Sequence, residues 1–316
     1  MALPSNTQST YITIGNREDL EDVVYRIDPT DTPFMSSVSK SSASNVNHEW
    51  QTQALASPDT ANAVLEGDDA STDAMTPTVR LGNICQISDK VARVTGTQEA
   101  VDHAGPGGKM TEQMVLKGLE LKRDLESIIT GTNQAKNAGS AGVARNTATL
   151  LSWIVTNNSS GATGSAPGAA LGASTRTDGT QRAFTEALLK PVLKSIWEQG
   201  GDPSKIMVGG FNKQAFSTFT GRSTPQEMAK DKKIVASVDF YEGDFGRQSV
   251  TASRFMRSRD CLILDMEYWG LAYLRNMTTK DLAVTGDNQR KQILCEYAVV
   301  AKNEKASGIV ADLTTS

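Results

Sequence analysis

The sequence predicts an α+β fold, on three observations. Two arms within Val46–Thr95 alternate with period two, the mark of extended strands with one covered face. A long apolar stripe at helical spacing runs over about Lys109–Thr130. Beyond Thr185, short apolar strand-like runs alternate with helical patterns and then give way to a β-rich return.

The first 44 residues read as an arm. Asn16 caps a predicted helix over Asn16–Val24 with acids in its first turn, and Asp28-Pro29 and Thr32-Pro33 break the chain beyond it. Phe34 and Met35 then stand ahead of a polar tract. Apolar residues this sparse organise no core locally, so they are expected to anchor on a neighbouring surface.

In the ribbon, the first arm is Val46-Asn47-His48-Glu49-Trp50-Gln51-Thr52. The second spans Thr78–Val94 and puts Val79, Leu81, Cys85, Ile87 and Val91 on one parity. Between them Ser57–Thr76 is rich in Ala, Asp, Ser and Thr and carries Glu66, Asp68, Asp69 and Asp73. An arm of ten residues reaches about 33 Å, and an isolated two-stranded ribbon is marginal in water. It therefore needs a partner, and a second copy of the chain is the natural one.

The helix at Lys109–Thr130 starts after Pro106-Gly107-Gly108 and is predicted to close on Gly131 as a C′ glycine. Met110, Met114, Leu121, Leu125 and Ile128 form its inward face, with Gly118 in the stripe as a point of close approach. Glu120/Arg123 and Lys122/Glu126 read as surface pairs. Thr132–Ala183 is dominated by small and polar residues around the island Leu150–Val155, and Gly161–Thr180 reads as a flexible surface excursion.

Next, Thr185 caps a helix through Gln199, with Leu188, Leu189, Val192, Ile196 and Trp197 inward and Pro191 as a kink or late start. Ile206–Val208 is a short strand, Asn212–Phe219 a helix, and Ile234–Tyr241 and Ser249–Met256 are strands. Cys261–Leu264, Tyr268–Arg275 and Lys291–Lys302 come next as strands, the last with Ile293, Cys295, Tyr297 and Val299 on one face. Asn303-Glu304-Lys305 then turns into a closing hairpin at Gly308–Leu313.

The 316 residues carry 38% hydrophobic and 22% charged residues, an ordinary globular balance. A net charge of −4 argues against a protein whose task is to grip nucleic acid. There is no apolar run of membrane-spanning length and no signal-like N-terminus, which points to an intracellular product. Cys85, Cys261 and Cys295 lie in apolar runs and read as buried free thiols.

No catalytic constellation emerges. His48 and His103 belong to no spaced ligand set, and there is no CxxC or HExxH. Gly107-Gly108-Lys109 lacks both the earlier glycine and the Ser/Thr of a phosphate loop, and Gly209-Gly210-Phe211 lacks the third glycine of a nucleotide-binding turn. The acids of the ribbon tip lack calcium-loop spacing and a rigid cleft, so they read as solvated or intersubunit charges. No catalytic residue, cofactor or metal is expected. Asn157-Asn158-Ser159-Ser160 matches a glycosylation acceptor by coincidence.

The order of parts resembles the major capsid protein of tailed double-stranded DNA bacteriophages. Gly15–Leu20 with Thr32–Met35 resembles that family's N-terminal arm, and His48–Thr52 the start of its extended loop. Leu119–Glu126 resembles its spine helix. Lys205–Gln214 and Tyr241–Gly246 resemble its axial-domain segments, and Arg254-Phe255-Met256 the strand end after them. The resemblance covers nearly the whole chain.

It implies an N-terminal arm (1–45), an extended two-stranded loop (46–95) and a peripheral domain with a long spine helix and β-sheet (96–155). An α/β axial domain (156–255) and a β-rich return (256–316) complete it. It further implies self-assembly into hexamers and pentamers of an icosahedral capsid around packaged DNA, made in the host cytoplasm and resident in the virion. Implied partners are the chain itself, a scaffolding protein, a portal and a decoration protein, with weak non-specific contact to DNA and no membrane. The arm begins almost at once, which fits a separate scaffold or prior cleavage, and no Lys–Asn crosslinking pair is carried over. Candidate intersubunit residues are Phe34, Met35, Trp50, Glu66, Asp68, Asp69 and Arg80; Met114, Gly118, Leu121, Leu125 and Ile128 pack the spine helix. The alternatives are a shell protein of an encapsulin-like cellular compartment and, more distantly, an enzyme.

Overall fold

The computed structural model of the chain describes residues 27–69, 72–101, 107–219 and 239–316. The predicted helix at Asn16–Val24, His103, Pro106 and the strand start at Ile234 lie outside them.

Two sheets share one core. The first has four strands in the order β1 (Ser39–Ser42), β10 (Trp269–Asp281), β11 (Asn288–Ala301) and β4 (Gln86–Thr95). β10 and β11 are antiparallel neighbours, and β10 is irregular at Arg275. The helix α3 (Lys109–Gly131) lies against this sheet. Leu121, Leu125 and Ile129 are fully buried on it and share a core with Ile293, Cys295, Tyr297 and Val299 of β11. Burying side chains of this size stabilises by about 1.5–3 kcal/mol each. The opposite face of β11 presents Ala298 and Val300 to Ala272 and Cys85.

The second sheet has six strands: β5 (Asn158–Ser159), β12 (Gly308–Val310), β9 (Cys261–Leu264), β6 (Lys205–Val208), β8 (Gly246–Ala252) and β7 (Phe240–Gly243). Period two sends alternate residues to opposite faces. Ile206 and Val208 meet the helices α5 (Glu186–Glu198) and α6 (Gly210–Phe216), whereas Met207 joins the core beneath α3. Three further α-helices are short: α1 (Pro33–Ser37), α2 (Gly96–Ala100) and α4 (Leu150–Trp153).

Several sequence expectations change. The second ribbon arm is not one strand. It breaks at Cys85 into β3 (Val79–Ile84), which pairs with β2 (Asn47–Thr52), and β4, which joins the four-stranded sheet. The covered parity changes there too: Ile87 and Val91 are exposed, while Ala92 and Val94 are buried against Met110 of α3. The closing hairpin is absent among the described residues. After β11 the chain turns through Glu304–Ala306 and crosses to the other sheet, where β12 pairs with β9 and β5.

On α3, Ile129 takes the fully buried place and Ile128 is half-buried. Gly118 makes no close approach, because a Cβ there would sit 3.7 Å from Ile293 Cδ1. The close approach is at Gly131, which ends the helix rather than following it, and whose missing Cβ leaves room for the Phe255 carbonyl oxygen. Glu120 pairs with Lys117, not Arg123. Glu126 is fully buried, and backbone N–H groups rather than the expected Lys122 engage it. Its carboxylate accepts from Phe34 N at 2.8 Å and Met35 N at 2.9 Å, capping α1, whose Thr32 offers no side-chain cap. On α5, Trp197 points outward onto Phe245 and Leu193 takes its place inside. The helix runs through Pro191 from Glu186.

Candidate assembly surface

The ribbon has a moored root and a bare tip. β2 and β3 pair antiparallel from Asn47↔Ile84 to Thr52↔Val79. At the root, Asn83 is fully buried. Its Nδ2 donates to Val299 O at 2.7 Å and Ala148 O at 3.1 Å, and its Oδ1 accepts from Ala148 N at 2.8 Å. Trp50 Nε1 donates to Ala301 O at 2.9 Å, and the ring packs on Trp153 with centroids 5.4 Å apart. Lys136 Nζ donates to Gly82 O at 2.8 Å.

Past Thr52 and Val79 this support ends. Gln53 Nε2 donates across to Thr76 O at 2.8 Å, and residues 53–69 and 72–78 are exposed throughout. Four large apolar side chains stand in solvent there: Leu55 (97% exposed), Met75 (95%), Val64 (85%) and Leu65 (80%). Glu66, Asp68, Asp69 and Asp73 share the exposed tip. Local turns shape it, with Gly67 at φ +86° and Asp68 N donating to Leu65 O at 3.2 Å. The tip thus presents these apolar side chains and its acids to solvent together.

The sequence-predicted candidates separate accordingly. Phe34 and Met35 are buried in this chain's own core, so the expected anchoring on a neighbour gives way to an intramolecular one through Glu126. Trp50 serves the ribbon root. Arg80 meets Glu49 within the ribbon at 3.5 Å. Glu66, Asp68 and Asp69 lie on the bare tip. Of the spine set, Leu121 and Leu125 are buried, while Met114, Gly118 and Ile128 are half-buried. Sequence reading missed Leu55, Val64, Leu65 and Met75, because isolated apolar residues in a small-residue run have no periodicity. It also missed Asn83, whose signal was a lone amide inside the run Leu81–Cys85.

The chemistry elsewhere is quiet. Among the described residues no group of three or more His, Cys, Asp or Glu could hold a metal, and no helix is long and apolar enough to cross a membrane. Burial pushes the Cys85 thiol up to about 11 and the Cys295 thiol up to about 12, and raises Cys261 further. Burial also lowers His48. The flexible excursion expected at Gly161–Thr180 is instead tied down, with Arg176 buried against Asp260 at 3.3 Å.

Residues 4–314 match the family model of the SU10 major capsid protein. The chain belongs to the SU10 major capsid protein family. The major capsid protein of Escherichia phage Phieco32 is 28% identical over 320 residues, covering 90% of each chain. Solved structures share the fold at low identity. A chain of the Cyanophage A-1(L) capsid asymmetric unit aligns with a TM-score of 0.66 at 11% identity, over 95% of this chain and 98% of that one. A Gordonia phage Cozz chain aligns with a TM-score of 0.62 at 8% identity, over 100% and 99%. As a member of this family, the protein is a structural subunit of the phage capsid, resides in the virion and assembles with copies of itself. The resemblance read from the arm, loop and spine segments is thus met in family and in fold class.

Proposed function

We propose that this subunit builds hexamers and pentamers of an icosahedral shell around packaged double-stranded DNA, with each ribbon tip lying on a neighbouring subunit. The supporting observation is the tip itself, where Leu55, Val64, Leu65 and Met75 are exposed beyond a root anchored by Asn83 and Trp50. Glu66, Asp68 and Asp69 then face the neighbour or solvent, and Arg80 shares its charge between Glu49 and that boundary. The role is structural, without catalysis. A scaffolding protein, a portal and a decoration protein are proposed partners, and a net charge of −4 fits weak, non-specific contact with DNA. The proposed division is an arm over 1–45, the loop over 46–95, a peripheral domain over 96–155, an axial domain over 156–255 and a return over 256–316. The capsid name of the curated relative favours a genome-filled shell over a cellular cargo compartment.

Deleting Ala56–Thr76 tests this reading. The helix at Glu186–Glu198 and its sheet should stay folded by circular dichroism and hydrogen exchange, while shells vanish from electron micrographs. Normal particles from that variant would refute the intersubunit role of the tip.

A further inference from the structure

The segment between Gly161 and Thr180 is too poor in apolar residues to fold by its own packing. Inside the loop Arg176 pairs with Asp260 and bonds Asn133, and Ser165 bridges Thr177; its two ends are joined by the carboxylate of Asp312. Asp312 is fully buried. Its Oδ2 accepts from Gly161 N at 2.9 Å and its Oδ1 from Gly179 N at 2.9 Å, so it holds both ends of the loop at once. Arg259 Nη2 donates to Oδ1 at 2.8 Å, and Arg176 Nη2 lies 3.6 Å from Oδ2.

Backbone bonds extend the connection. Arg182 N donates to Asp312 O at 2.7 Å, Leu313 N to Arg259 O at 2.8 Å and Thr314 N to Arg182 O at 2.9 Å. Gly164 fits the carboxylate, since a Cβ there would stand 2.5 Å from Asp312 Oδ2, and Gly179 fits the facing loop backbone, where a Cβ would stand 2.6 Å from Ala162 O. Asp312 itself adopts φ +60°, a left-handed conformation that few side chains accept and that is retained here with four groups on its carboxylate.

We propose that Asp312 is a positioning residue, a C-terminal clasp that locks the 161–179 loop, so that the subunit becomes competent to build shells only when its last strand has docked. During synthesis Gly161 precedes Asp312 by 151 positions, so the loop must wait for Asp312 to be made. The assembly half of this inference rests on the capsid role; the locking half does not.

Asp312→Gly is the test, because glycine accepts the left-handed backbone while the side chain and its carboxylate are removed. Amide exchange at Gly161, Gly179 and their neighbours should speed at least tenfold, with α3 and β11 unchanged, and shell yield should fall. Unchanged exchange in the loop would overturn the clasp. Normal shells from a loosened loop would overturn its link to assembly. Should the variant fail to fold, native-state exchange of the wild type under mild denaturant decides. The Gly161 and Gly179 amides should open in step with those of Arg182 and Thr314, and independent, faster opening of the loop would refute the proposal. Wild-type subunits that build no shell with scaffold present would count against the capsid reading while leaving the exchange result intact.

Discussion

Asn83→Ala removes the amide that fixes the ribbon to the body. The side chain is fully buried and makes three long-range bonds: two donated, to Val299 O and Ala148 O, and one accepted from Ala148 N. Two lost bonds cost about 0.5–1.5 kcal/mol each, and the stranded Ala148 N–H costs about 1–3 kcal/mol more. The sum is about 2–6 kcal/mol, with about 4 as its centre. Urea unfolding of the unassembled subunit measures it, and Trp50 and Trp153, stacked near the site, report by fluorescence. With a denaturant slope of about 3 kcal/mol/M, the midpoint should fall by about 1 M or more. Shell yield should fall as well, since the ribbon loses its fixed departure angle. A loss under about 1 kcal/mol would refute the reasoning, because a buried hub with three partners cannot be that cheap to remove.

Two glycines of α3 should respond oppositely to alanine. Gly131→Ala drives a Cβ into the Phe255 carbonyl and should cost about 1–3 kcal/mol in thermal or chemical unfolding, whereas Gly118→Ala meets only Ile293 Cδ1 at 3.7 Å and should gain up to about 1 kcal/mol. Equal effects at the two positions would show the contact at Phe255 to be unimportant. A thiol reagent should label none of Cys85, Cys261 and Cys295 in the native subunit within minutes and all of them in urea, since each is buried and its thiol value raised; fast native labelling would contradict this burial. Burial raises the Glu126 carboxyl above its ordinary value, outweighing the Phe34 and Met35 N–H groups and Lys205. The native state then binds the proton more tightly than the unfolded chain, so lowering the pH through the raised value should shift stability toward the wild type relative to Glu126→Gln. A shift in the opposite direction between pH 7 and pH 4 would show the carboxylate to be net stabilised in place.

Elements with strong local patterns were legible. The helix α3 shows its apolar stripe and its glycine punctuation, and β11 shows Ile293, Cys295, Tyr297 and Val299 on one face because both sheet and helix obey a fixed period. Long-range decisions were not legible. Nothing local says that β12 leaves β11 for the other sheet, since three residues of strand fit either partner. Alternation in Thr78–Val94 could not reveal the break at Cys85, where the partner strand changes from β2 to β11 and the covered parity changes with it. Glu126 reads as a surface acid from its helical spacing, and only the arrival of α1 from a distant part of the chain gives its carboxylate two backbone donors. The order of the 161–179 loop was hidden for the same reason: the groups that hold it, Asn133, Asp260 and Asp312, lie outside it in the sequence.

The ribbon divides its energetics between two places, and that division bears on how a shell can be built from one chain. A two-stranded ribbon held only by its own pairing would be marginal and would sample many directions. Here Asn83, Trp50 and Lys136 tie its root to Val299, Ala301 and the strand backbone at Gly82. The subunit therefore defines the direction of the ribbon before any neighbour arrives, and little ordering entropy remains at the root for assembly to offset. The tip does the reverse. It exposes Leu55, Val64, Leu65 and Met75 beside acids, the apolar area that the proposed contact with a neighbour would bury. On this division, damage at the root and damage at the tip are separable. Asn83→Ala should lower subunit stability and shell yield together, whereas Leu65→Ser and Met75→Ser should leave the unfolding free energy of the free subunit within about 0.5 kcal/mol of wild type and still reduce shell yield. Tip variants that destabilise the isolated subunit would show that the tip has an intramolecular partner after all, and the division would fail.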